Sequence, residues 1–191
     1  MHQSMSQNPK PLLRKEFHHL DTQACERIAA ATARLVLQAL RQNRHNTTAV
    51  QIALRGELGA GKTTWIRGFL RACGIRDRVK SPSFSVVESY EIDLEGAALP
   101  IHHIDFYRQA SPADWSSAGL RDLFAQRAIV LIEWPQRAAG LPAAHIALEL
   151  AWEDDVSGDA PRRLTIEFLN RPDGLSFDGP LPQWIADVDR S

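Results

Sequence analysis

Nine consecutive residues, Gly56-Glu57-Leu58-Gly59-Ala60-Gly61-Lys62-Thr63-Thr64, restrict what this chain can fold into more than any other stretch. They fit G-x-x-x-x-G-K-[ST], the phosphate-binding loop. Three glycines permit a tight turn whose backbone N–H groups point into one concavity. A triphosphate settles there against the positive end of the helix that follows. In that reading Lys62 reaches the outer phosphates and the Thr63 hydroxyl meets Mg²⁺, with Glu57, Leu58, Gly59, Ala60, Gly61 and Thr64 completing the cradle. The motif needs a strand before it and a helix after it. Residues 49–54, Ala-Val-Gln-Ile-Ala-Leu, are apolar and β-branched enough for a buried strand. Residues 64–73 place Trp65, Ile66, Phe69 and Leu70 at helical spacing, with Gly74 as a stop.

At 191 residues the chain suits one domain with tails. A formal charge of −1 gives no basic signature for a nucleic-acid surface. Cys25 and Cys73 lack metal-ligand spacing and read as reduced thiols. No apolar run approaches the roughly 18 residues that cross a membrane, and the polar start has no signal-peptide core. These features point to a soluble, cytoplasmic protein.

Residues 1–13 read as a flexible leader, with Pro9 and Pro11 opposing regular structure. A short strand over 14–19 precedes a helix capped by Asp21 or Thr22 and running to about Gln42. Ile28, Thr32, Leu35, Ala39 and Leu40 form its apolar side; Arg27, Arg34, Gln38 and Arg41 lie elsewhere. Further strands are expected over 85–92, 100–105, 128–133, 145–152 and 162–169, with a turn over 93–98. Ser111-Pro112-Ala113-Asp114 is a good start for a helix reaching about Gln126. Residues 170–191 read as a Pro/Gly-rich tail from which Trp184 and Ile185 tuck back onto the body. Strands alternating with helices, then a run of strands, give an α/β fold. It is P-loop NTPase-like: a mainly parallel sheet flanked by helices, with added antiparallel strands.

Ligands of open α/β sheets sit at the carboxyl ends of strands. Asp105 and Glu133 each end an apolar strand and therefore share an edge with the phosphate loop. Asp105 is a natural acid for the Mg²⁺ shell, or a solvated strand end. Glu133 is a direct Mg²⁺ ligand, an orienter of the attacking water, or half of an ion pair. Ser81 and Ser83 flank Pro82 in a stretch that suits a nucleotide switch or an ordinary surface loop. Trp134 either shields phosphates or fills core. His102 and His103 point to opposite faces of one strand and read as packing or hydrogen-bonded residues.

Four motifs taken together resemble the bacterial TsaE family: the loop at 56–64, Val79-Lys80-Ser81-Pro82-Ser83-Phe84, His103-Ile104-Asp105-Phe106-Tyr107-Arg108 and Ile132-Glu133-Trp134-Pro135-Gln136. The resemblance spans about residues 14–169. It implies a small Mg-ATPase acting in threonylcarbamoyl modification of adenosine 37 in tRNAs reading ANN codons. Such an ATPase acts on the TsaB–TsaD complex and meets tRNA only indirectly. Carried over by motif, Lys62 binds phosphate, Thr63 and Glu133 ligate Mg²⁺, and Asp105 supports the metal shell. Lys62, Asp105 and Glu133 are then the catalytic set. Trp134 lies beside ATP, Ser83 belongs to a switch loop at 81–84, and Thr22 stands near the adenine. Two substitutions depart from the family pattern: Ser83 replaces its usual Thr, and Glu57 its usual Asp. The alternatives are a small-molecule P-loop kinase, which needs an acceptor pocket and an arginine-bearing lid, and a nucleotide-gated binding module with negligible turnover.

Overall fold

A computed structural model describes residues 11–76, 87–107, 115, 119–153 and 161–169. The leader to residue 10, the proposed switch at 81–84 with Ser83, the helix start at 111–114 and the tail at 170–191 lie outside them.

One seven-stranded sheet organises the chain, in the order β1-β7-β6-β2-β5-β4-β3. Its strands are β1 (Pro11–Leu20), β2 (Val50–Gly56), β3 (Val87–Leu94), β4 (Ala97–Asp105), β5 (Ile129–Glu133), β6 (Ile146–Trp152) and β7 (Arg162–Leu169). The four central strands β6, β2, β5 and β4 run parallel. Antiparallel neighbours extend both ends: β7 and β1 on one side, β3 on the other. This is the mainly parallel sheet with antiparallel additions that the strand–helix order implies.

Alternation along the central strands divides the core in two. Val50, Ile52, Leu54, Ile129 and Leu131 face a first cluster built with helices α1 (Thr22–Gln42) and α2 (Lys62–Ala72). Val130, Ile132 and Ile104 face a second, smaller cluster with Phe106, Trp115 and Phe124. Helix α1 starts where the Asp21 carboxylate accepts from the Ala24 N–H at 2.6 Å, a side-chain N-cap. Ile28, Thr32, Ala39 and Leu40 are buried along it, whereas Arg27, Arg34, Gln38 and Arg41 are exposed. Helix α2 buries Trp65, Ile66, Phe69 and Leu70 completely. At roughly 1.5–3 kcal/mol per large apolar side chain, these four residues fasten the loop's helix to the sheet.

Several boundaries differ from the sequence reading. Strand β1 begins at Pro11, inside the expected leader, because that residue pairs with Leu169 at the first position of an edge strand, where a missing N–H is tolerated. The turn expected over 93–98 shrinks to Glu95 and Gly96, both at positive φ. A two-residue connection of that hand matches the strand twist, so β3 and β4 continue up to it. Pro100 lies within β4 at Glu91 of β3, before the pairing with β5 begins at Ile101. A helix unbroken to Gln126 is excluded: Gly119 stands at φ 72, and only Leu120–Phe124 (α3) is helical after it. The left-handed glycine breaks the helical path.

Helices α1 and α2 cross at Gly68. A Cβ there would stand 3.1 Å from Glu26 Cα and 3.2 Å from Ala29 Cβ. Replacing Gly68 with Leu should therefore overpack the crossing and lower stability by about 1–3 kcal/mol. Urea denaturation checks this; a midpoint equal to the parent's would contradict the crossing as described.

Candidate functional site

Strand β2 ends at the centre of the sheet, and its chain turns at once into the phosphate-loop sequence. Gly56 has φ 139, and a Cβ there would sit 2.2 Å from the Leu150 carbonyl oxygen. Only glycine lets the loop leave β2 so close to β6. Gly61 then opens α2 at φ 102, with no side chain capping the helix. The first N–H groups of a helix have no intrahelical partner. Here they sit at the mouth of the cleft, where the helix dipole favours an anion.

Lys62, the first residue of α2, is only 4% exposed. Its ammonium donates to the carbonyls of Gly56 at 2.9 Å and Glu57 at 2.7 Å. The Trp134 ring covers it, with Nζ 4.1 Å from the ring centroid. Burial pushes the amine below its ordinary value, while the negative charge of Glu133 and Asp105 pulls it back up.

Asp105 and Glu133 are register partners at the ends of parallel β4 and β5. Asp105 Oδ1 accepts from the Tyr107 N–H at 2.9 Å, which turns the chain away after the strand. Glu133 is 3% exposed. Its Oε1 accepts from Thr63 Oγ1 at 2.8 Å and from His103 Nε2 at 3.0 Å. Directly after it, Trp134 takes φ 56, a left-handed backbone that costs a bulky residue about 1–3 kcal/mol. That turn swings the indole over Lys62. Tyr107 packs against the indole at a tilt, ring centroids 4.9 Å apart, and the Arg137 guanidinium stands 4.7 Å from the Tyr107 ring.

The resulting cleft measures about 370 Å³. Leu58, Gly59, Gly61, Lys62, Thr63 and Thr64 line one side; Asp105, Glu133 and Trp134 line the other. Ala60 is fully buried beneath the loop, and Glu57 enters through its backbone carbonyl. Thr22 stands apart from this lining. It connects to the loop through Arg162, whose Nη1 is 3.5 Å from Thr22 Oγ1 and whose Nε is 3.3 Å from the position of a Cβ on Gly61.

A triphosphate and Mg²⁺ fit these groups. The buried ammonium and the uncapped helix start suit phosphate oxygens. The hydroxyl and two carboxylates are hard oxygen donors of the kind Mg²⁺ takes. Among the described residues no three His, Cys, Asp or Glu side chains are arranged to hold a metal alone. A Mg²⁺ site completed by phosphate oxygens needs no such cage.

Sequence reasoning gave two parts of this site no functional role: His103, read as a packing or hydrogen-bonded residue and found bonded to Glu133, and the Trp152–Arg162 pair. His103 lies two residues before Asp105, and the period of a strand alone puts both on one face. Trp152 and Arg162 had no local signal, because only the β6–β7 pairing brings them to the loop. They are register partners, with the guanidinium 4.6 Å from the indole ring and Trp152 Cζ2 4.0 Å from the position of a Cβ on Gly59. Cys25 and Cys73 take no part: burial raises their thiols to about 11 and about 12, respectively.

A family model described as threonylcarbamoyl adenosine biosynthesis protein TsaE matches residues 21–163. A tRNA threonylcarbamoyladenosine biosynthesis protein TsaE from Haemophilus influenzae is 42% identical over 112 residues, which cover 58% of this chain and 68% of that one. Its namesake from Treponema pallidum is 30% identical, covering 60% and 79%. In fold, the chain is similar to the crystal structure of Bacillus subtilis YdiB, with a TM-score of 0.56 and 23% identity over 93% of this chain and 95% of that one.

The end of β6 is tied down beside the loop. Glu153 accepts from the His19 backbone N–H at 2.6 Å and from His18 Nδ1 at 2.5 Å, and His19 Nδ1 stands 3.0 Å away. Burial alone would raise this carboxyl, but the hydrogen bonds and the two imidazoles bring it below its ordinary value of 4.5. A lowered folded value means the clamp stabilises the fold above pH 4.5 and is lost as pH falls through the folded value. The stability difference between the parent and Glu153→Gln should shrink in that acid range, as measured by denaturation at stepped pH. A difference that stays constant or grows would contradict the clamp.

Proposed function

The chain belongs to the TsaE family, and from that premise we propose that it binds and hydrolyses Mg-ATP in the service of tRNA threonylcarbamoylation. It acts in the cytoplasm on a TsaB–TsaD complex and leaves the transfer of the threonylcarbamoyl group to that complex. The observation that carries the nucleotide reading is the buried Lys62 ammonium beside the uncapped start of α2, facing two strand-end carboxylates across one cleft.

Binding is an exchange of partners. The ammonium gives up the Gly56 and Glu57 carbonyls for phosphate oxygens, which charge-assisted bonding favours. The N–H groups at the start of α2 hold phosphate without moving. Thr63, Glu133 and Asp105 would hold Mg²⁺, which when bound draws charge from the phosphate oxygens as a Lewis acid. Thr63 keeps its hydroxyl proton, directed at Glu133 Oε1, and presents a lone pair to the cleft. Glu133 accepts that proton's hydrogen bond and holds the hydroxyl in one orientation. Trp134 covers Lys62 and excludes water from it, strengthening the charge interactions beneath. Hydrolysis by the isolated chain is slow until a partner completes the site, as in other switch ATPases. With a formal charge of −1, tRNA is met through the partners.

Lys62→Ala should lower ATP affinity by about 10–100-fold, the scale of a lost charge-assisted hydrogen bond, with the circular dichroism spectrum unchanged. Equal affinity by calorimetry would sink the nucleotide reading. Glu133→Ala should reduce hydrolysis far more than ATP binding, and equal losses in both would remove Glu133 from the chemistry. For the biological assignment the test is co-purification from extract with and without Mg-ATP. Recovery of TsaB and TsaD is expected; their absence under both conditions would overturn the partner assignment.

A further inference from the structure

His103 is wholly buried, with its side chain at 0% exposure, and its Nδ1 has no hydrogen-bond partner among the described residues. A buried polar atom left unpaired costs about 1–3 kcal/mol. On the same face of β4 and β5 its neighbours away from the Asp105–Glu133 pair are Ile101, Ile129 and Leu131, and its register partner on β3 is Glu88. An aliphatic residue would fill this place without that cost, so packing does not account for an imidazole here. The remaining nitrogen does. Nε2 lies 3.0 Å from Glu133 Oε1, and because a carboxylate accepts, the imidazole donates, with its proton on Nε2.

Thr63 and His103 reach the same oxygen from different parts of the fold. Thr63 rides on the phosphate loop's helix, whose polar groups change partners when a ligand enters. His103 is fixed in a central strand, paired with Leu131 two register positions below the Asp105–Glu133 pair and on the same face. Its hydrogen bond to Glu133 involves no atom of the loop. Both recorded bonds fall on Oε1, which leaves Oε2 as the oxygen to offer a ligand.

We propose that His103 is a positioning residue for Glu133: it anchors Oε1 from the sheet and holds the carboxylate in the orientation that receives the metal of a bound nucleotide. This rests on the Mg-nucleotide reading of the cleft. Groups that orient metal-binding carboxylates typically contribute 10–100-fold to metal affinity or activity.

Three variants separate positioning from packing. In His103→Gln the amide nitrogen falls near the place of Nε2; in His103→Asn the same amide is one methylene too short; His103→Leu fills the space with no donor. ATP affinity is measured by calorimetry with Mg²⁺ and with chelator, alongside steady-state hydrolysis. The Leu and Asn variants should lose about 10–100-fold of kcat and a smaller share of the Mg²⁺-dependent affinity, with metal-free affinity within about 2-fold of the parent. The Gln variant should recover most of the loss. Gln and Asn behaving alike, all variants matching the parent, or equal losses with and without Mg²⁺ would overturn the proposal. If the Leu variant does not fold, the Gln–Asn pair still decides. Nitrogen-15 NMR of the His103 ring gives a readout independent of nucleotide. The proton should sit on Nε2 and its resonance should move in Glu133→Gln; a proton on Nδ1, or no response, would overturn the proposal. A parent protein that takes up no ATP would sink the nucleotide reading, whereas the NMR arm would still decide the role of His103.

Discussion

A lysine ammonium buried at the end of the central strand is the constraint that the rest of the site answers. Removing such a charge from water without partners is prohibitive, and Lys62 is 4% exposed. Each neighbour compensates for part of that. The loop bends so that two of its own carbonyls accept from Nζ. Trp134 adopts a left-handed backbone and lays its π face over the cation. Glu133 and Asp105 supply negative charge from the adjoining strand ends. The tight turn, the strained tryptophan and the pair of acids thus answer one electrostatic demand.

The sheet makes that arrangement rigid. Parallel pairing of β2 with β5, and of β5 with β4, brings the loop, Glu133 and Asp105 to one edge in fixed register. On its other side β2 pairs with β6, and β6 with antiparallel β7. Those strands deliver Trp152 and Arg162 against the loop's glycines. The antiparallel addition therefore extends the sheet and also builds a wall for the loop. Glu153, held by His18 and His19 near the end of β1, ties the end of that wall to the strand that leads into α1.

What the sequence made legible follows from how local each signal is. The loop, its helix and the apolar central strands are set by contiguous residues, and their types and order are readable before any packing. Asp105 and Glu133 were legible because one topological rule places strand ends on a common edge. Pro11, read as a breaker, could begin a strand because β7 supplies a partner and an edge position forgives its missing N–H. The interruption at Gly119 depends on a backbone angle that glycine permits and the sequence does not demand. Arg162 was invisible for a different reason: its neighbours Thr22 and Gly61 are each about a hundred residues or more away along the chain.

The same electrostatic demand explains why the cleft is satisfied by its own groups. Lys62 already has two carbonyl acceptors and an aromatic face, and Thr63 already donates to Glu133. Phosphate therefore gains only the difference between its own bonds and those it replaces, since exchanged hydrogen bonds contribute little net energy. The groups that need no exchange are the N–H groups at the start of α2, uncapped by any side chain. In the proposed nucleotide reading, the helix start is open to phosphate as it stands, whereas Lys62 would exchange one set of partners for another.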